Sequence, residues 1–122
     1  MAKIHGDGEH PRISESYRGI GKAYVGLGDH TLALEYYTKS LEMYKVVYGT
    51  DSNHPAIATS YYAIGNVYNS QGEYTLALEQ YTKSLEMYQK VYGAHSKHPY
   101  IATTIRRMTT IHQRTKHPAV TV

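Results

Sequence analysis

Residues 31–48 read TLALEYYTKSLEMYKVVY and residues 75–92 read TLALEQYTKSLEMYQKVY. Fifteen of these eighteen positions are identical, at an offset of 44 residues. Near-identity at a fixed interval is the mark of stacked units, each of which buries the same face against its neighbour. The correspondence widens to 24 of 39 positions when 10–48 is set against 54–92. His10-Pro11, His54-Pro55 and His98-Pro99 open three units at the same interval, and the third unit stops after its first half. The chain therefore divides into a flexible leader (1–9), two full repeats (10–53 and 54–97), a half repeat or capping helix (98–114) and a tail (115–122).

Each unit reads as two helices. Ile13, Tyr17, Ile20, Tyr24 and Leu27 recur at steps of three and four, one stripe along a helix that Pro11 opens. Gly21 lies on that stripe; a mid-helix glycine costs about 1 kcal/mol against alanine, so close approach of a neighbouring helix is expected in return. After Gly28-Asp29-His30, with Asp29 or Thr31 as cap, a second helix carries Leu34, Tyr37, Leu41, Tyr44, Val47 and Tyr48 inward, and Gly49 ends it. The second unit repeats the scheme through Ile57, Tyr61, Ile64, Gly65 and Tyr68, then Ala77 to Val91, with Gly93 as its stop. Glu35–Lys39, Glu79–Lys83 and Glu86–Lys90 are spaced for pairing on the exposed side. A fifth helix shows Ile101, Ile105, Met108 and Ile111 as one stripe, but Thr109 stands where Gly21 and Gly65 stand.

Composition narrows the function. There are fourteen Tyr and no Phe or Trp, so tyrosine must supply the large-aromatic packing and its buried hydroxyls need partners. There is no cysteine, which leaves no disulfide or thiolate metal site and fits a reducing, cytoplasmic setting. No apolar run approaches a bilayer span, and 1–10 has no apolar signal core. The net charge of +3 is uneven: residues 1–96 hold eight Lys/Arg against ten Asp/Glu, whereas 97–122 hold Lys97, Arg106, Arg107, Arg114 and Lys116 and no acid. No nucleophile elbow or phosphate loop is present, so no enzyme activity and no cofactor is expected. His10, His54 and His98 fall at equivalent linker positions, which repetition explains without a metal.

The segments Tyr17-x2-Ile20-Gly21-x2-Tyr24 … Ala33-x3-Tyr37 and Tyr61-x2-Ile64-Gly65-x2-Tyr68 … Ala77-x3-Tyr81 resemble the tetratricopeptide repeat. The long second helix, its closing glycine and the His-Pro opening of the next unit are similar to the extended subclass found in kinesin light chains and nephrocystin-3-like proteins. The proline usual near the end of the second helix is missing; Lys45 and Gln89 stand there. The resemblance implies an all-α solenoid of stacked antiparallel helical hairpins, five helices here, and a module for protein–protein interaction. Its first helices would line a concave groove for an extended peptide or a partner helix.

That groove would be lined by Glu15, Arg18, Lys22 and Val25 in the first unit, Thr59, Tyr62, Asn66 and Asn69 in the second, and Thr103, Arg106, Thr110 and Gln113 in the third. Arg18, Lys22, Tyr62, Asn66, Asn69 and Arg106 are the residues expected to contact the ligand. Asparagine is a poor mid-helix residue, and an amide can both donate to and accept from a peptide backbone. The cations suit an acidic segment; Arg107 is expected to point off the groove. In the chaperone-binding relatives a carboxylate clamp occupies the positions held here by Arg18, Lys22, Ala63, Thr103 and Arg107. Charge agrees at only two of them, so recognition of a free C-terminal carboxylate is not expected. Tyr36 and Tyr62 fall off the main stripes and are candidate exposed or inter-unit contacts. Two further readings stand beside peptide capture: a stacking unit that self-associates end to end, and an RNA-binding helical repeat, which the acidic 1–96 segment argues against.

Overall fold

The computed structural model describes residues 6–116. Five helices follow one another: α1 (Gly6–Leu27), α2 (His30–Tyr48), α3 (Pro55–Ser70), α4 (Tyr74–Tyr92) and α5 (Pro99–Lys116). α1 with α2 and α3 with α4 form two helical hairpins; α2 against α3 and α4 against α5 join them into one stack. α1 starts ahead of Pro11, so 6–9 of the expected leader are helical, and Thr115 and Lys116 of the expected tail belong to α5. Pro11 thus lies inside α1, where it lacks the N–H that would bond to the Asp7 carbonyl and its ring crowds that carbonyl. The remainder of the leader and tail lies outside the described residues.

The helix ends follow local chemistry. Asp29 caps α2 by accepting from the Leu32 N–H at 3.1 Å. Gly49 and Gly93 close α2 and α4 at φ of 101° and 108°, a region costly for residues with a Cβ. α3 and α5 begin differently, on histidine. His54 Nδ1 accepts from the Ala56 N–H at 3.0 Å and His98 Nδ1 from the Tyr100 N–H at 3.2 Å. The two rings stack on the last tyrosine of the preceding helix, His54 on Tyr48 at 3.7 Å and His98 on Tyr92 at 3.9 Å between centroids. One side chain thus caps one repeat and packs on the end of the one before.

Within each hairpin the glycine and a serine set the helix separation. A Cβ on Gly21 would lie 2.8 Å from Tyr37 Cδ1, and one on Gly65 would lie 2.8 Å from Tyr81 Cδ1 and Cε1. The close approach expected from Gly21 and Gly65 is therefore a tyrosine ring packed against each glycine. Ser40 Oγ donates to the Ser14 carbonyl and Ser84 Oγ to the Ala58 carbonyl, both at 2.8 Å and buried. These serines tie equivalent points of the two hairpins, and each satisfies a hydroxyl that burial would otherwise penalise.

The core runs between the hairpins. Ala33, Tyr37, Leu41 and Tyr44 of α2 meet Ile57, Ile64 and Val67 of α3, and Ala77 and Tyr81 of α4 meet Ile111 of α5. Three expectations from the sequence need correction. Ile20 is 40% exposed, because its position is the one at which Ile64 packs on the preceding hairpin, and no described helix lies before α1; Leu27, the equivalent of the exposed Gln71, is 77% exposed at the end of α1. Ile105 is likewise exposed; the buried stripe of α5 runs through Ile101, Thr104 and Ile111, with Met108 packed beside it. Glu79–Lys83 and Glu86–Lys90 do not close to ion pairs. Among the described residues Lys39 pairs with Glu35 at 3.6 Å, while Lys83 lies over the Tyr61 ring at 5.6 Å, where the ring face offers a competing site for the ammonium.

Candidate functional site

The first helices leave a recess of about 530 Å³ between α1 and α3. Its apolar wall is Val25, Tyr37, Ala63 and Val67; its polar wall is Glu15, Arg18, Lys22, Tyr62 and Asn66. Side chains at i and i+4 of α1 stand on one face, which is why Arg18 and Lys22 arrive together. A second recess, of about 660 Å³, lies between the end of α3 and α5 and is lined by Asn69, Arg106, Arg107, Thr110 and Arg114 among others. The six residues singled out from the sequence thus divide. Arg18, Lys22, Tyr62 and Asn66 line the first recess; Asn69 and Arg106 line the second; Ser70 borders both.

A polar hub separates the two. The Tyr81 hydroxyl donates to Asn66 Oδ1, and the Tyr62 ring lies 5.7 Å from the Tyr81 ring. Arg107 Nε donates to the Tyr62 hydroxyl at 2.6 Å, with its guanidinium 5.7 Å from the ring centre. Burial pushes the Tyr81 hydroxyl up to about 12, against the pull of the Arg107 charge and the Asn69 amide. Asn66 consequently has one acceptor position of its carbonyl engaged by Tyr81, while its N–H2 group can donate to a ligand. A mid-helix asparagine here answers a buried hydroxyl of the next helix, which no property of α3 alone could reveal.

The sequence reading turned Arg107 away from the groove; the structure places it on the wall of the second recess. The signal was in the repeat register, since residue 107 is the equivalent of Ala63, which lines the first recess. Tyr37, Tyr74 and Arg114 were also missed. Tyr37 is core for most of its length, and burial raises its hydroxyl, opposed by Arg18, yet one edge of it reaches the recess. Tyr36 stays within its own hairpin, stacked against Tyr24 at 5.8 Å. Among the described residues no three His, Asp or Glu side chains gather as a metal site, and no helix is long and apolar enough to cross a membrane.

The tetratricopeptide repeat profile matches residues 3–45, 47–90 and 56–120. No curated protein matches the chain. Tetratricopeptide repeats mediate protein–protein interaction and are typically non-catalytic scaffolds. With matches along most of its length, two glycine-on-tyrosine hairpins and an all-helical stack, this chain belongs to the tetratricopeptide repeat family.

Proposed function

We propose that the chain captures an extended segment of a protein partner along the face formed by α1, α3 and α5. The observation that carries this reading is the recess between α1 and α3. It joins an apolar wall to two cations and an amide donor, the mix by which a pre-formed site buries side chains while fixing a peptide's direction. Arg18, Lys22, Tyr62, Asn66, Asn69 and Arg106 make the contacts, and their charge favours an acidic segment. The 44-residue period and the 19-residue α2 and α4 support placing the chain with the extended repeats of kinesin light chain and nephrocystin-3 type.

The test is a peptide-display selection against the chain, with Arg18→Glu/Lys22→Glu as counter-screen. Both side chains are exposed, so the variant should fold. A motif that enriches on the parent and is lost on the variant supports the reading; enrichment that the variant retains overturns it. A second reading, end-to-end self-association, draws on the exposed apolar residues Ile20 and Leu27 at one end and Tyr100 and Ile105 at the other. A scattering mass that stays monomeric as concentration rises would dispose of it.

A further inference from the structure

The second recess differs in kind from the first. α5 contains no acidic residue and contributes three guanidiniums, those of Arg106, Arg107 and Arg114. No carboxylate lines this recess, whereas Glu15 accompanies Arg18 and Lys22 in the first. Among the described residues the ion pair formed is Lys39 with Glu35, and none of the three arginines pairs with a carboxylate there. Like charges held together without a counter-charge raise the local potential and draw an anion to them. Two of the guanidiniums are also held in place. Arg107 donates one N–H to Tyr62 at 2.6 Å and Arg114 one to Tyr74 at 3.4 Å, which leaves most of the five N–H groups of each for a ligand.

We propose that this recess receives a phosphate monoester, the side chain of a phosphorylated serine or threonine in the peptide that occupies the groove. The inference rests on the groove reading and adds the chemistry of one subsite. Geometry favours phosphate over a lone carboxylate. The arginines of α5 stand on one side; the amides of Asn69 and Gln71 and the hydroxyls of Ser70 and Tyr74, from the α3–α4 turn, stand on another. Donors from several directions suit a tetrahedral group with three terminal oxygens, where a planar carboxylate has two. Gly72, at φ 80° with open space where a Cβ would stand, lets such a group approach the turn. A peptide is favoured over a nucleic acid because the cluster of arginines with no carboxylate beside it is confined to this end of the face. A phosphodiester backbone would need neutralisation along the whole of it, past Glu15.

The experiment uses three degenerate fluorescent peptide libraries that differ at one fixed central position: phosphoserine, serine or glutamate. Affinities are measured by polarisation on the full chain, on Arg106→Gln/Arg114→Gln, and on Arg18→Glu/Lys22→Glu. Arg107 is left alone because it ties α5 to α3. Circular dichroism confirms that the variants fold. The expected result is phosphoserine binding at least about tenfold tighter than serine, the gain of one to three charge-assisted hydrogen bonds, lost in the Arg106/Arg114 variant. Equal binding of serine and phosphoserine, still abolished by the Arg18/Lys22 variant, overturns the phosphate subsite and leaves the groove reading standing. Glutamate binding as well as phosphoserine makes the recess a carboxylate site and overturns the proposal. Displacement of the phosphopeptide by a single-stranded RNA oligonucleotide at equal phosphate concentration also overturns it. Failure of every library to bind removes the groove reading itself.

Discussion

Gly65→Ala should destabilise this protein, although alanine is the better helix former. Replacing a mid-helix glycine by alanine ordinarily gains about 0.8–1 kcal/mol. Here the new methyl would lie 2.8 Å from both Cδ1 and Cε1 of Tyr81 and 3.3 Å from its Cγ, well inside the ordinary carbon–carbon separation of about 3.5–4.0 Å. The ring cannot yield cheaply: Tyr81 is fully buried, and its hydroxyl is tied to Asn66. Overpacking of this kind costs about 1–3 kcal/mol. The expected balance is a net loss of up to about 2 kcal/mol, the overpacking cost less the propensity gain. Gly19→Ala provides the internal control. It lies in a first helix too, but nothing stands within 4 Å of its would-be Cβ, so the full gain of about 0.8–1 kcal/mol should appear. For a chain of this length 1 kcal/mol moves the melting midpoint by about 3–6 °C, so the two variants should bracket the parent clearly. Thermal and urea unfolding followed at 222 nm measure both. A Gly65→Ala midpoint at or above the parent would refute the claim that ring contact is what holds glycine at this position. Thr109 agrees with the claim: it occupies the equivalent place on α5, is exposed, and has no tyrosine laid over it.

Alkali should unfold the stack through its tyrosines. Burial raises the Tyr81 and Tyr88 hydroxyls to about 12 in the fold, above the ordinary value of 10.0. Their contribution to stability is therefore complete below about pH 10 and declines as pH rises from there through about 12. Phenolate absorbance at 295 nm should show these two ionising together with loss of helix; complete titration near pH 10 with helix retained would contradict it. At the joint between the hairpins, His54→Ala removes a cap and a stacked ring and should cost about 1–2 kcal/mol, of which His54→Asn, a cap without the ring stack, should restore part. Denaturant midpoints of the two variants decide this, and an alanine variant as stable as the parent would show that the histidine cap carries no weight.

Much of the fold was legible because repetition multiplies a weak signal. One apolar stripe with a central glycine is ambiguous; the same stripe at the same offset in a second unit, each followed by the same long helix, is a hairpin that must stack. The helix stops at Gly49 and Gly93 and the cap at Asp29 could be read because their causes are local. The faces at the two ends could not. Ile20 and Ile64 are the same residue at the same register, yet one is exposed and the other buried, since burial belongs to the neighbouring hairpin and not to the helix. The candidate site shows the same division. Repeat register brought Arg18, Lys22, Tyr62 and Asn66 to one recess. It did not show that Asn66 is engaged by Tyr81, or that Arg107 reaches across 45 positions of chain to Tyr62.

The sequence by itself determined the unit: two helices, their stops at the closing glycines and the interval at which they repeat. These follow from backbone preferences and hydrophobic period, which act over a few residues. Only the tertiary structure decided which polar groups are satisfied inside and which remain for a partner. Serine, asparagine and arginine carry the same donors and acceptors wherever they stand, and histidine takes its tautomer from its neighbours. Ser84 closes on a carbonyl 26 positions away, His54 caps one helix while stacking on another, and Arg106 pairs with no carboxylate among the described residues. Those outcomes depend on distances between helices of a few ångströms, which are set when the tyrosine rings settle on the glycines.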